Sequence, residues 1–395
     1  MAQTSAQQMR AWQGPALFTY GFRPFFLIGA SWVVLAMVLW LLALTGAIVL
    51  PTRLDATSWH AHEFLFGYLG AVLAGFLLTA VPNWTGRLPL VGWPLAALFG
   101  LWMAGRAAML VSSHLPGPVA PMLDLAFPLV LGAVILREIV AGRNWRNLMV
   151  LGLLAVFTLA NALFHVQSAQ GVYAAQGIGL RLGLATAIMM IAVIGGRIVP
   201  SFTRNWLVKQ CHPARPAPSM QRFDKLVLVA SVAALLVWVA APVALLTGLF
   251  LLVMGVLHAA RLIRWQGWHT MTEPLVWVLH AAYAFIPLGA LVLGADILAG
   301  GPWGAGPQHL WTAGAIGAMT LAVMTRATLG HTGQPLTANR ATLAIYLVLF
   351  ASVAVRVLFG GVPGMLQLSG ALWLAAFGGF AAVYGPLLLR RRKEG

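Results

Sequence analysis

Trp59-His60-Ala61-His62-Glu63 sets two imidazoles and a carboxylate at the mouth of a long apolar run, in a chain with only eight acidic residues among 395. Such groups are expensive to keep at the edge of hydrocarbon unless they bind something. Imidazole is the commonest side-chain ligand for copper and haem iron, so metal or haem ligation is the chemistry indicated. Residues two apart on a helix point about 200° apart, whereas residues three or four apart share a face. Unless the first turn is irregular, His60 and His62 serve two centres, or one is a ligand and the other supports it or faces substrate. Glu63 shares the face of His60 and is placed to orient that ring or relay a proton. The plainer use of Glu63 is to favour a helix N-terminus capped by Thr57 or Ser58.

The elements that must position these groups are membrane spans. Hydrophobic residues make up 61% of the chain and charged residues 8%, with a mean hydropathy of +0.87, far from the roughly 25% charged of soluble domains. Windows of about 20 apolar residues fall at 25–50, 59–81, 91–113, 119–141, 147–166 and 178–200, then at 225–241, 243–263, 273–296, 308–328, 340–359 and 364–389. The fold class expected is all-α, a polytopic transmembrane bundle of about twelve spans. Continuous runs of this length exclude a barrel, whose strands alternate over about ten residues. The polar segment 1–24 has no short apolar core with a cleavage site, so the first span is expected to stay. The expected organisation is a cytoplasmic segment 1–24, a six-span half 25–200, a basic loop 201–224, a second half 225–389 and a basic tail 390–395.

With the N-terminus inside, most of the 24 lysines and arginines fall on one side, from Arg10 and Arg87 to Arg392 and Lys393, while Arg53 is alone in the opposite loops. Both termini are then expected to be cytoplasmic. The net charge of +16 is explained by insertion and contact with anionic membrane lipid rather than by nucleic acid. The single Cys211 excludes an intrachain disulfide or a cysteine cluster. Scattered Trp residues read mostly as interfacial anchors.

This topology puts His60, His62, His114, His165 and His309 at the outer face, with His258 and His280 deeper toward the cytoplasm. Several imidazoles entering a bundle at one depth suit a buried metal site. His258 and His280 suggest a second site, with His280 the better ligand; the alternative is a hydrogen bond across helices, helped by Tyr283. Arg106, Arg181, Arg197 and Arg356 lie in or at spans where acids are few, which suits an anionic cofactor group such as a haem propionate.

The runs Trp59-His60-Ala61-His62-Glu63, Ala80-Val81-Pro82-Asn83-Trp84-Thr85-Gly86, Gly195-Gly196-Arg197-Ile198-Val199-Pro200-Ser201-Phe202-Thr203, and Gly314-Ala315-Ile316-Gly317 through Val323-Met324-Thr325-Arg326-Ala327-Thr328-Leu329-Gly330-His331-Thr332-Gly333 resemble the NnrS family, in order and over nearly the whole chain. The resemblance implies a membrane protein of denitrification and nitrosative stress that binds haem and copper. It marks His60, His62, Asn83, Arg197, His309, Arg326 and His331 as motif positions, with His165 and His280 in less distinctive surroundings. Phe64, where Met is expected, and Leu310-Trp311 after His309 depart from the pattern.

The resulting expectation is an oxidoreductase acting on nitric oxide or a small nitrogen oxide, with haem b and copper as cofactors and quinol as electron donor. His60, His62, His165 and His309 form the metal-ligand pool, His280 and Arg197 join them around the haem, and Glu63 and His62 carry protons. The competing expectations are a secondary transporter with two six-helix halves about a basic loop and a non-catalytic haem-based nitric oxide sensor.

Overall fold

A computed structural model describes residues 12–86 and 89–391; Arg10, Arg87, Arg392 and Lys393 lie outside the described residues, as does the side chain of Asn83. Among the described residues the chain is helical, and eleven helices are long and apolar enough to cross a membrane. This is a multi-pass membrane protein. The twelve helices are α1 (Phe22–Leu44), α2 (Ala56–His62, continuing through Gly70–Thr85), α3 (Trp93–Leu110), α4 (Val119–Ala141), α5 (Leu148–Ala169), α6 (Ile178–Met190, continuing through Gly196–Lys209), α7 (Arg222–Ala240), α8 (Leu245–Ile263), α9 (Pro274–Leu298), α10 (Gly306–His309, continuing through Ala318–His331), α11 (Arg340–Phe359) and α12 (Met365–Leu389). All twelve windows read from hydropathy hold a helix; α10 is the one outside the eleven.

Local chemistry sets the helix starts. Asp55 caps α2, its Oδ1 accepting from the backbone of Thr57 and Ser58, so the cap precedes the hydroxyls expected to supply it. Gln221 and Asp224 form a capping box at α7. Glu273, followed by Pro274, caps α9. α6 runs on to Lys209 because Val199, Thr203 and Leu207 give its last turns a buried face, which shortens the basic loop.

Three helices carry π-helical turns, at Glu63–Leu69 in α2, Ile191–Gly195 in α6 and Leu310–Gly317 in α10. Each lies in or directly beside one of the motif runs. A π turn wedges one extra residue into the helix, shifts the facing of the residues after it, and is frequent at functional sites.

The chain divides into two compact units. The first holds residues 1–183, 327–334 and 377–395; the second holds 184–326 and 335–376. In the first unit α1 to α5 pack around buried Phe25, Trp59, Trp102 and Phe164. Arg23 ties its start together by donating to the backbone carbonyls of Leu388 and Arg390 at the end of α12, which that helix end leaves unpaired. In the second unit α8 and α9 approach closely at Gly248 and Gly294: a Cβ on Gly294 would lie 2.9 Å from the Gly248 carbonyl oxygen, the small-residue contact of membrane helices. Large apolar side chains such as Met122 and Leu129 on α4 and Val229 and Leu236 on α7 remain exposed, as lipid-facing surfaces require. Trp59, Trp102, Trp238, Trp265 and Trp311 are fully buried, so these five pack the interior and are not interfacial anchors.

Candidate metal centre

Five helices of the first unit each send polar side chains to one point. α2 supplies His62 and Glu63, α3 Arg106, α4 Asp124, α5 Asn161 and His165, and α1 the indole of Trp32. All but the Trp32 ring are charged or strongly polar, and His62 and Glu63 are completely buried. The Glu63 carboxylate accepts from Arg106 Nη1 at 2.7 Å, from Trp32 Nε1 at 2.9 Å and from His62 Nδ1 at 3.0 Å. Arg106 Nη2 donates to Asp124 Oδ1. The other oxygen, Asp124 Oδ2, lies 2.9 Å from His165 Nε2 and 3.2 Å from His62 Nε2, and accepts from Asn161 Nδ2 at 2.7 Å.

The Gly67 carbonyl, inside the π turn, accepts from the Gly70 backbone N–H and from Trp102 Nε1 at 3.0 Å. Gly67 itself is a cradle: a Cβ there would sit 2.6 Å from Arg106 Nη1 and 2.9 Å from Glu63 Oε2. The ion pair therefore rests directly on helix backbone, and no larger residue fits without moving it.

Charge and tautomer together show what the cluster lacks. Two carboxylates face one guanidinium, so with neutral imidazoles the buried site carries one net negative charge, which is costly in a low-dielectric interior. His62 is bounded by acceptors on both nitrogens. Its Nδ1 meets the Glu63 carboxylate, and its Nε2 meets Asp124 Oδ2 and, at 3.1 Å, Asn161 Oδ1. A neutral ring has one N–H. Donating it to Glu63 leaves the Nε2 lone pair against two oxygens, an arrangement relieved by a second proton on the ring or by a cation held between them. His62, Asp124 and His165 each offer one ligand atom, all within 4.8 Å of one another. Two imidazole nitrogens and a carboxylate oxygen suit an imidazole-preferring transition ion such as copper or iron. His62 Nδ1–H donating to Glu63 is the outer hydrogen bond that metal-binding histidines usually have. The residues present fit a metal ion.

A cavity of about 10 Å³ adjoins Asp124 and Asn161, walled by Phe127, Pro128, Leu154 and Phe157. That is room for about one water-sized molecule.

Of the four expected ligands, the structure brings His62 and His165 together. His60 faces elsewhere: its ring stacks on Trp40 at 4.1 Å between centroids and packs on Phe64 at 4.2 Å. The i+3 spacing predicts Glu63 beside His60; the carboxylate instead meets His62 Nδ1. Arg106 needs no cofactor anion, because Glu63 and Asp124 neutralise it.

His309 belongs to the second unit and precedes a π turn. Its Nδ1 donates to the Ala305 carbonyl at 2.8 Å, which leaves Nε2 as the nitrogen able to bind a metal. His280 bonds through Nε2 to Thr203 Oγ1 at 2.7 Å, and its Nδ1 faces Gly267, where a Cβ would lie 2.5 Å away. Tyr283 bonds His258, not His280. Arg197 is half-buried, with no ion pair among the described residues. Arg326 lies over the Phe202 ring at 4.1 Å, and His331 packs on Phe22 at 5.3 Å.

Sequence reasoning missed Asp124, Asn161 and Trp32 as site residues and gave Arg106 a different partner. An acid and an amide inside two apolar spans were the available signal.

No curated protein matches the chain. The family model described as NnrS protein matches residues 16–392, nearly the whole chain and all of the cluster, and the chain belongs to the NnrS family.

Proposed function

We propose that this protein is a metal-dependent redox protein of nitric oxide metabolism and nitrosative stress defence, with a transition ion held by His62, Asp124 and His165. One observation carries the reading: two Nε2 atoms and a carboxylate oxygen converge in a fully buried site whose own charges call for a cation. Such an ion would supply one-electron chemistry and polarise a bound nitrogen oxide.

The chain's residues do the rest. Glu63 holds the His62 ring through Nδ1–H, and Arg106 fixes both carboxylates, so the ligand atoms are set before anything binds. Asn161 donates to Asp124 Oδ2 and orients it. The apolar walls of the adjoining cavity admit a small uncharged molecule and exclude bulk water. Haem b would be held by His309 through Nε2, since its Nδ1–H is committed to the Ala305 carbonyl. Quinol is the electron donor that a membrane location favours, and the protein lies in the bacterial inner membrane with both termini cytoplasmic.

The test is iron and copper analysis of the detergent-purified protein, with reduced-minus-oxidised spectra recorded with and without nitric oxide, alongside His165→Ala. Stoichiometric metal that His165→Ala loses, with a spectrum that shifts on nitric oxide, supports the reading. Protein supplied with both metals yet purified without either would sink it.

A further inference from the structure

The second unit holds another buried polar chain, unrelated to metal binding and independent of the function proposed above. α8 contributes His258 and Arg261, one turn apart on a single face; α9 contributes Tyr283, α7 Ser231 and Asp224, and α6 the backbone of its π turn. Ser231, His258, Arg261 and Tyr283 are fully buried.

The donors can be assigned in one way. Ser231 Oγ–H donates to the Val227 carbonyl at 2.7 Å, so its oxygen accepts from His258 Nε2–H, also at 2.7 Å. His258 Nδ1 is then a bare lone pair and accepts from the Tyr283 hydroxyl at 2.8 Å. The Tyr283 oxygen in turn accepts from Arg261 Nη1 at 2.9 Å. Arg261 is fixed by Asp224 Oδ1 at 2.7 Å and by the Ala192 carbonyl at 2.8 Å. Its charge is balanced by Asp224, and the edge of Trp265 shields the phenol at 4.6 Å between centroids.

From this geometry we infer that Tyr283 and His258 form a proton-coupled one-electron redox site. Tyr283 gives one electron to a one-electron oxidant, of the class of a higher-valent transition metal complex, and passes its phenolic proton to His258 Nδ1. The oxidant is reduced by one electron, the phenol becomes a neutral phenoxyl radical, and His258 becomes an imidazolium. Re-reduction returns the electron and the proton. The oxidised state loses no hydrogen bond: the imidazolium donates from Nδ1 to the phenoxyl oxygen and from Nε2 to Ser231, and Arg261 still donates to that oxygen. Burial removes the radical from water. Tyr346 is the internal contrast, being equally buried but with its hydroxyl on Thr325 Oγ1, which is no base.

The experiment is flash oxidation of the full chain in detergent with a ruthenium(III) polypyridyl oxidant, reading the tyrosyl radical by electron paramagnetic resonance and optical absorption. The site predicts a long-lived radical that Tyr283→Phe abolishes and Tyr346→Phe leaves intact. His258→Gln, whose amide can still meet Ser231, slows its formation roughly 100-fold, the usual worth of a positioned base. In the unsubstituted protein, formation shows a solvent deuterium isotope effect and no dependence on buffer concentration, which needs no variant to fold. A radical that survives Tyr283→Phe, unchanged kinetics in His258→Gln, or a rate set by buffer concentration would each overturn the inference.

Discussion

The rings of His62 and His165 lie 5.1 Å apart between centroids, tilted 57°, and each presents Nε2 to the same oxygen of Asp124. α2 and α5 bring these rings together from distant parts of the sequence, and the carboxylate between them comes from α4. Two imidazoles sharing one acceptor is a poor arrangement for hydrogen bonding alone, since the oxygen already accepts from Asn161. It is a good one for an ion held among the three.

Replacing His165 or Asp124 by alanine is therefore expected to remove the ion bound in the first unit, whereas His60→Ala, whose ring rests on Trp40 and Phe64, leaves that ion in place. Metal analysis of the purified variants decides it. Equal loss in all three would show that His60 shares the centre.

Glu63 touches no ligand atom directly; it holds the Nδ1–H of His62. Removal of such an outer partner lowers metal affinity by about 10- to 100-fold. Glu63→Gln keeps the shape and drops the charge, so its metal should be stripped by correspondingly weaker chelators while the helix content stays unchanged. Chelator resistance equal to that of the unsubstituted protein would remove Glu63 from the site.

Arg106 pairs with two buried carboxylates at once. Cutting one partner from a buried charge cluster costs about 3–5 kcal/mol, because the charges left behind stay out of water. Arg106→Leu should markedly lower the unfolding temperature in detergent. Adding Glu63→Gln should restore part of the loss, since it removes one stranded charge. Independent, additive effects in the double variant would deny the coupling.

The spans were legible because hydrocarbon demands long apolar runs, and hydropathy alone placed all twelve helices. His62 and His165 were legible as polar outliers within them. What the sequence could not show was facing. A regular helix sets Glu63 beside His60, and only the π turn at Glu63–Leu69 accompanies its contact with His62. The same limit applied to Arg106: an arginine among few acids reads as waiting for a cofactor anion, until α2 and α4 are seen to bring Glu63 and Asp124 to it. Asp124 is legible as an acid inside a span, yet its partners are far away in sequence.

Orientation can be tested with the protein's own thiol. Cys211 is the single cysteine of the chain and is exposed in the basic connection between α6 and α7. Lysine and arginine are retained on the cytoplasmic side, and this connection carries Arg215 with Lys209 and Arg222 at its two ends. A membrane-impermeant maleimide should therefore leave Cys211 unmodified in intact spheroplasts and modify it in inverted membrane vesicles. Modification in spheroplasts would reverse the topology and move His62, at the start of α2, to the cytoplasmic side. The candidate metal centre would then load from the cytoplasm instead of the periplasm, so the labelling result also sets which compartment's metal supply to vary when the centre is reconstituted.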